Sequence, residues 1–244
     1  MKNMKFILGE KIGMTQLYNE AGELMPVTKV MVNSSLVTQI KGKDKEGYNS
    51  VQIAFGGSKT NLNKPLKGHL KNLLPFFGEK KGPKYVTEFR SEDVQNFNVG
   101  DILNAEIFNI GERVMVRGFT KGRGFAGVVK RHGFHGHPAS HGHKDQERMP
   151  GSIGSKRIGP VGKGKRMGGK FGNEKVFVNN LAVLKIDSEK GILYIKGAIP
   201  GARGGYVEII SDAKVDKQLQ NFLSQSPKPE VAGDKPVVVA SMEK

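Results

Sequence analysis

The chain has 244 residues, with 39 Lys and Arg against 23 Asp and Glu, a formal net charge of +16, no cysteine and no tryptophan. That surplus favours a polyanionic partner, and the lack of cysteine excludes disulfides and thiolate metal sites and fits a reducing cytoplasm. No run approaches the length of about 18 apolar residues that a membrane-spanning helix needs, and the length suits one large domain or two small ones.

In chain order, the start MKNMKFILGEKIG carries lysines but only a short apolar stretch and no small-residue cleavage site, so it does not read as a signal peptide. LMPVTKVMV (24–32), YNSVQIAFG (48–56) and ERVMVRG (112–118) follow as short β-branched runs that suit half-buried strands. KVFVNNLAVLKID (175–187) and GILYIKG (191–197) repeat the pattern. EAGE (20–23), KDKEG (43–47) and DSEKG (187–191) read as turns. Residues 61–82 form an insertion with a short helix expected around HLKNLL. KVDKQLQNFL (214–223) could begin a helix, and SPKPEVAGDKP after it has the composition of disorder. Many short, evenly spaced strands point to a small barrel or a sandwich.

The charge is concentrated. Residues 117–175 hold 14 Lys and Arg, three acids and 15 of the 33 glycines, a net charge of +11. The other 185 residues carry 25 bases and 20 acids, or +5. The window shows no sustained period of a helix or a strand. A stretch this charged and glycine-rich cannot bury enough apolar surface to offset its ordering entropy. So long an irregular insertion in a domain is functional or disordered. The expectation is a β domain, 1–116 and 175–212, with a basic extension over 117–174 and a tail over 213–244.

Four kinds of chemistry compete for that window. HGFHGHPASHGH (132–143) holds five of the six histidines and raises a metal site. Glycines separate those histidines, only Asp145 and Glu147 lie near as acids, and the surrounding cations oppose a dication, so no metal is expected. GRGFAG (122–127) matches a dinucleotide fingerprint but lacks the strand before it and the helix after it. GPVGKGKR (159–166) has Arg166 where a P-loop needs Ser or Thr. Ser140 and Ser152 stand in no nucleophile elbow and no carboxylate pair stands out, so no enzyme is expected.

What remains is nucleic-acid binding, with structured RNA favoured over duplex DNA because no helix suits a major groove. The residues expected to contact RNA are Arg117, Lys121, Arg123, Lys130, Arg131, His132, His135, His137, His141, His143, Lys144, Arg148, Ser152, Lys156, Arg157, Lys163, Lys165, Arg166 and Lys170. Arginines fork onto phosphates, lysines neutralise them and glycines let the backbone pass closely. Among Phe119, Phe125, Phe134 and Phe171, some suit stacking on bases, while Phe119 suits anchoring the root. A free RNA chaperone and a metal-dependent enzyme are the competing classes.

Five segments, in order, resemble the L3 family of bacterial large-subunit ribosomal proteins. They are GEKIGMTQLYNEAGELMPVTKV (9–30), TKGRGFAGVVKRHGF (120–134), SHGHKDQERMPGSIGS (140–155), GKGKRMGGKFGNEKVFVNNL (162–181) and KGAIPGARGG (196–205). The resemblance implies a mainly β fold, a six-stranded barrel of the translation-protein type carrying a long irregular extension. It implies a non-enzymatic ribosomal constituent in the cytoplasm that binds large-subunit RNA near its 3′ end and acts early in assembly. It implies neighbouring ribosomal proteins as partners, no membrane or small-molecule substrate, and magnesium only through the RNA. The extension's tip, about Pro150 to Pro160, would lie toward the peptidyl transferase centre. Three positions depart from the family pattern. Met115 stands where the family usually has Asp or Asn, and His132 where many members have Trp. SKRIGP follows GSIG where many members carry a methylatable glutamine, so that methylation is not expected.

Overall fold

The structure is a computed structural model that describes residues 4–18, 22–32, 35–56, 62–77, 82–92, 94–154 and 159–215, with the backbone alone over 212–215. Twelve strands run through it: β1 (Lys5–Tyr18), β2 (Leu24–Met31), β3 (Ser35–Lys41), β4 (Ser50–Phe55), β5 (Tyr85–Arg90), β6 (Ile102–Leu103), β7 (Glu112–Phe119), β8 (Phe125–Ala126), β9 (Gly169–Lys170), β10 (Lys175–Asp187), β11 (Ile192–Lys196) and β12 (Tyr206–Val215). Three helices are short: α1 (Lys43–Glu46), α2 (Lys64–His69) and α3 (Val128–His132). Among the described residues no helix is long and apolar enough to cross a membrane.

Six strands close into an antiparallel barrel in the order β1-β12-β7-β10-β11-β2, which removes the open edges that a flat sheet would leave. Ile7 lies opposite Ile209, and Ile209 opposite Val116, so these three share the inner face. All three are fully buried, as are Val183, Leu193 and Ile195. The barrel follows the resemblance, and the sandwich alternative falls away.

Polar side chains plug both ends of the barrel. At one end the buried Glu112 carboxylate accepts hydrogen bonds from Lys5 Nζ at 2.9 Å, from the Asn109 amide at 2.8 Å and from Ser211 Oγ. At the other end Lys11 Nζ donates to the carbonyls of Ile199 at 2.7 Å and Gly201 at 3.2 Å. Buried polar groups are tolerated only when they are paired like this.

A second sheet, β5-β4-β3-β6, packs against β1. Phe6 stacks on Phe89, with ring centroids 4.8 Å apart and planes within 10°, and lies 5.4 Å from Phe97. β1 is therefore buried on both faces over Phe6–Leu8, which explains an apolar run there with no alternation.

Several expectations hold closely: 24–32, 48–56, 112–118, 175–187 and 191–197 become β2, β4, β7, β10 and β11. Others need correction. The helix expected at HLKNLL lies earlier, as α2, because Pro65 in the first turn presets the helical φ and Asn63 precedes it as the cap residue. Leu74–Phe77 then forms a 3-10 turn. KDKEG is a single helical turn ended by Gly47 rather than a β-turn. Lys214 and Val215, expected to open a helix, continue β12, whose register with β7 reaches Val215↔Glu112. The remainder of that helix and the disordered tail lie outside the described residues, as does the first half of the EAGE turn.

Replacing Glu112 with Ala strands Lys5 and the Asn109 amide at the buried end. The expected loss is about 3 kcal/mol, read as a lower urea midpoint at unchanged m-value; an unchanged midpoint would refute the plug.

Candidate nucleic-acid interface

The basic extension grows directly from the barrel wall. β7 and β10 pair through Val178↔Val116, Phe177↔Arg117, Val176↔Gly118 and Lys175↔Phe119. The ladder continues past the barrel. The Thr120 amide donates to Glu174 O at 3.0 Å, the Arg123 amide to Phe171 O at 2.9 Å and the Phe171 amide to Gly124 O at 2.9 Å. β8 and β9 extend it by Phe125↔Lys170 and Ala126↔Gly169. Gly172 is buried with φ 73°, and a Cβ there would meet Lys121 O at 2.2 Å, so only glycine lets the two strands cross so closely.

One buried carboxylate holds the root. Glu208 on β12 is 1% exposed and lies opposite Arg117 across β7–β12. It forms ion pairs with Arg117 Nε and with Lys175 Nζ, the latter at 3.1 Å. The guanidinium also lies over the Phe177 ring, 5.4 Å from its centroid. Phe119 packs near Tyr206, with centroids 5.8 Å apart, and Tyr206 packs on Tyr85 at 4.2 Å. Burial, followed by the charge of Glu208, raises the Tyr206 phenol above its ordinary pKa.

Beyond the ladder, α3 turns the chain. It was not foreseen in the window, and it is one turn long, ended by Gly133. Arg131 Nη1 donates to Met167 O at 2.9 Å and His132 Nε2 lies 3.0 Å from the same oxygen, tying the outgoing strand to the returning one. The His132 ring is 6.1 Å from Phe134. Further out, the His137 amide donates to Glu147 O at 3.0 Å. The His137 and His143 rings stack with centroids 5.2 Å apart and an interplanar angle of 19°. Ring nitrogens in near-parallel planes do not converge on one point. Among the described residues no three His, Cys, Asp or Glu side chains are grouped to hold a metal.

The expected contact residues therefore separate into sets. Lys121, Arg123, Lys130, His135, His137, His141, Lys144, Arg148, Ser152, Lys163, Lys165, Arg166 and Lys170 are exposed. Among them Arg123 lies over the Phe171 ring at 5.1 Å, and Ser152 Oγ donates to Gly154 O at 3.0 Å. Arg131, His132 and His143 are half-buried, and Arg117 is committed to Glu208. Lys156 and Arg157 lie outside the described residues.

Lys11 was not foreseen as a site residue. It lines a cleft of ≈ 420 Å³ at the junction of barrel and extension, with Thr120, Lys121, Arg123, Phe171 and Gly201. Burial, and then the nearby Lys121 ammonium, hold the Lys11 amine below its ordinary pKa. The Glu174 carboxylate lines the same cleft, and Lys11 Nζ is already bonded to the Ile199 and Gly201 carbonyls. No period or motif in LGEKIG marks this lysine, because its place follows from β1 entering the barrel end.

A family model described as ribosomal protein L3 matches residues 87–193. Large ribosomal subunit protein uL3 of Herpetosiphon aurantiacus is 48% identical over 214 residues, covering 87% of this chain and 98% of that protein. Its counterparts from Streptomyces avermitilis (46% over 215 residues; 87% and 98% covered) and Pelotomaculum thermopropionicum (44% over 212 residues; 86% and 98% covered) are similar to this chain to nearly the same degree.

Gly172→Ala should open the root of the extension and leave the barrel closed. In hydrogen exchange, the amides of Arg123 and Phe171 are expected to lose protection while those of Val116 and Ile209 keep theirs. Full protection at all four would show that the crossing tolerates a side chain.

Proposed function

We infer the function from one premise: this chain belongs to the ribosomal protein L3 family. It is a structural, non-enzymatic constituent of the large ribosomal subunit. Within that role, the reading proposed here is that residues 117–174 form an extension that binds large-subunit ribosomal RNA, and that 1–116 with 175–212 form the globular part that sets its position.

One observation carries the reading. Lys130, Lys144, Arg148, Lys163, Lys165, Arg166 and Lys170 are exposed along the extension, and among the described residues none of them is ion-paired. Three acids of the globular part, Glu112, Glu88 and Glu208, are in contrast drawn into internal pairs. Unpaired cations on a glycine-rich backbone suit phosphate contacts. These position a protein on RNA without reading its sequence. The exposed His135, His137 and His141 suit hydrogen bonds to phosphate or 2′-hydroxyl oxygens. Magnesium enters through the RNA alone in this reading.

The family resemblance supplies the finer proposals: early assembly, contact near the 3′ end of the RNA, a tip directed to the peptidyl transferase centre, neighbouring ribosomal proteins as partners and a cytoplasmic location. An extension that runs through RNA fits an early role, because it must be threaded before the RNA closes around it.

The test is affinity for large-subunit RNA across a salt series, with the full chain and a variant lacking 121–173, whose cut ends Thr120 and Glu174 are already hydrogen-bonded to each other. Neutralising about eight phosphates predicts a log–log slope on the order of −6 to −7. The deletion should flatten it, and Lys163, Lys165 and Arg166 together replaced by Ala should reduce it by about 3. Weak binding and a shallow slope in the full chain would overturn the reading.

A further inference from the structure

The aromatic residues of the extension differ sharply in their surroundings. Phe119 is packed near Tyr206, and Phe171 is half-buried beneath the Arg123 guanidinium. Phe134 is half-buried beside His132. Phe125 alone of the four stands free, at 83% exposure. Its position is nonetheless fixed. It sits in the β8–β9 pair, directly opposite Lys170, one residue beyond the hydrogen bond from the Phe171 amide to Gly124. The ring lies close above Gly168, where an added Cβ would meet Phe125 Cε1 at 3.3 Å and Cζ at 3.4 Å. A ring backed by glycine backbone on a paired strand keeps its orientation without being covered.

We propose that Phe125 is a stacking platform for one unpaired nucleobase of the bound RNA, with Lys170 and Arg123 neutralising the phosphates beside that nucleotide. This rests on the RNA-binding reading and narrows it to one residue and one ligand chemistry. The apolar pocket of a partner protein would also accept a phenylalanine. The ring's surroundings favour a nucleotide: Lys170 lies opposite, Arg123 and Lys121 precede it, and α3 after it carries Lys130 and Arg131. An apolar anchor ringed by cations is poor complementarity for a hydrophobic pocket and good complementarity for a base carried on a charged backbone. Stacking needs a π-face and is tolerant of which base is presented, so the residue would contribute affinity rather than sequence readout.

The chain has no tryptophan, so Phe125→Trp places a single fluorescent reporter at the site. Full-length protein is titrated with large-subunit RNA at fixed salt, comparing the unchanged chain with F125W, F125Y, F125L and F125A. Stacking predicts that the indole emission of F125W is quenched on binding, and that F125W and F125Y bind with affinities close to that of the unchanged chain. F125A and F125L should each bind about tenfold or more weakly, with the salt slope unaltered because no phosphate contact is lost. Leucine is the discriminating variant, since it keeps apolar bulk and removes the π-face. If F125L binds as tightly as the unchanged chain, or the indole emission of F125W does not respond to RNA, the platform is refuted while RNA binding stands. If the unchanged chain itself fails to bind, both readings fall.

Discussion

The whole extension hangs on the antiparallel pairing of β7 with β10. The same two strands form a third of the barrel wall and the root of the extension, so the extension inherits its direction from the register Lys175↔Phe119. Glu208 secures that register from the third strand. A buried carboxylate without counter-charge would cost several kcal/mol, and here Arg117 from β7 and Lys175 from β10 both answer it. The pair of cations that begins and ends the basic window thus belongs to the barrel's internal electrostatics. The cations between them are left for a partner.

Two regimes of charge result. In the globular part acids and bases meet one another: Lys5 with Glu112, Lys41 with Glu88, and Arg117 and Lys175 with Glu208. The Glu88 carboxyl shows how such pairing works. Burial alone would raise its pKa, yet hydrogen bonds from Lys41, Ser50 and Tyr48 bring it below the ordinary value, while Lys41 is raised in turn. In the extension the backbone is held by its own hydrogen bonds and by glycines such as Gly172, and the side-chain charge is uncompensated. The structure separates what folds the chain from what remains available for binding.

This separation also decides what could be read from the sequence. The basic window needed only charge counting, and half-buried strands such as β10 and β11 declared themselves by alternation. β1 did not, because Phe6, Ile7 and Leu8 are covered on both faces by the barrel interior and the second sheet. The second sheet itself was missed: β3 and β6 are short, and their pairing with each other depends on contacts across more than sixty residues of chain. The link from Arg117 to Glu208 was not legible, because the two lie 91 residues apart in sequence. The histidine-rich stretch looked like ligand spacing, yet the fold gives its members separate tasks. His132 bridges to Met167 O, and His137 stacks on His143.

The order of synthesis adds a last constraint. β12 fills the barrel between β1 and β7, and it is the final strand of the six to leave the ribosome that makes it. β1 must wait roughly two hundred residues for its partner, a long-range closure of the kind that folds slowly. Glu208 emerges 33 residues after Lys175. For that interval the whole basic extension is in the open, with the carboxylate that tames its two ends not yet made. A nascent chain in this state is a polycation without a finished domain, exposed to any RNA nearby. The speed with which β11 and β12 follow therefore governs how long the root of the extension lacks a fixed direction, while the cations between Arg117 and Lys175 stay open to RNA throughout.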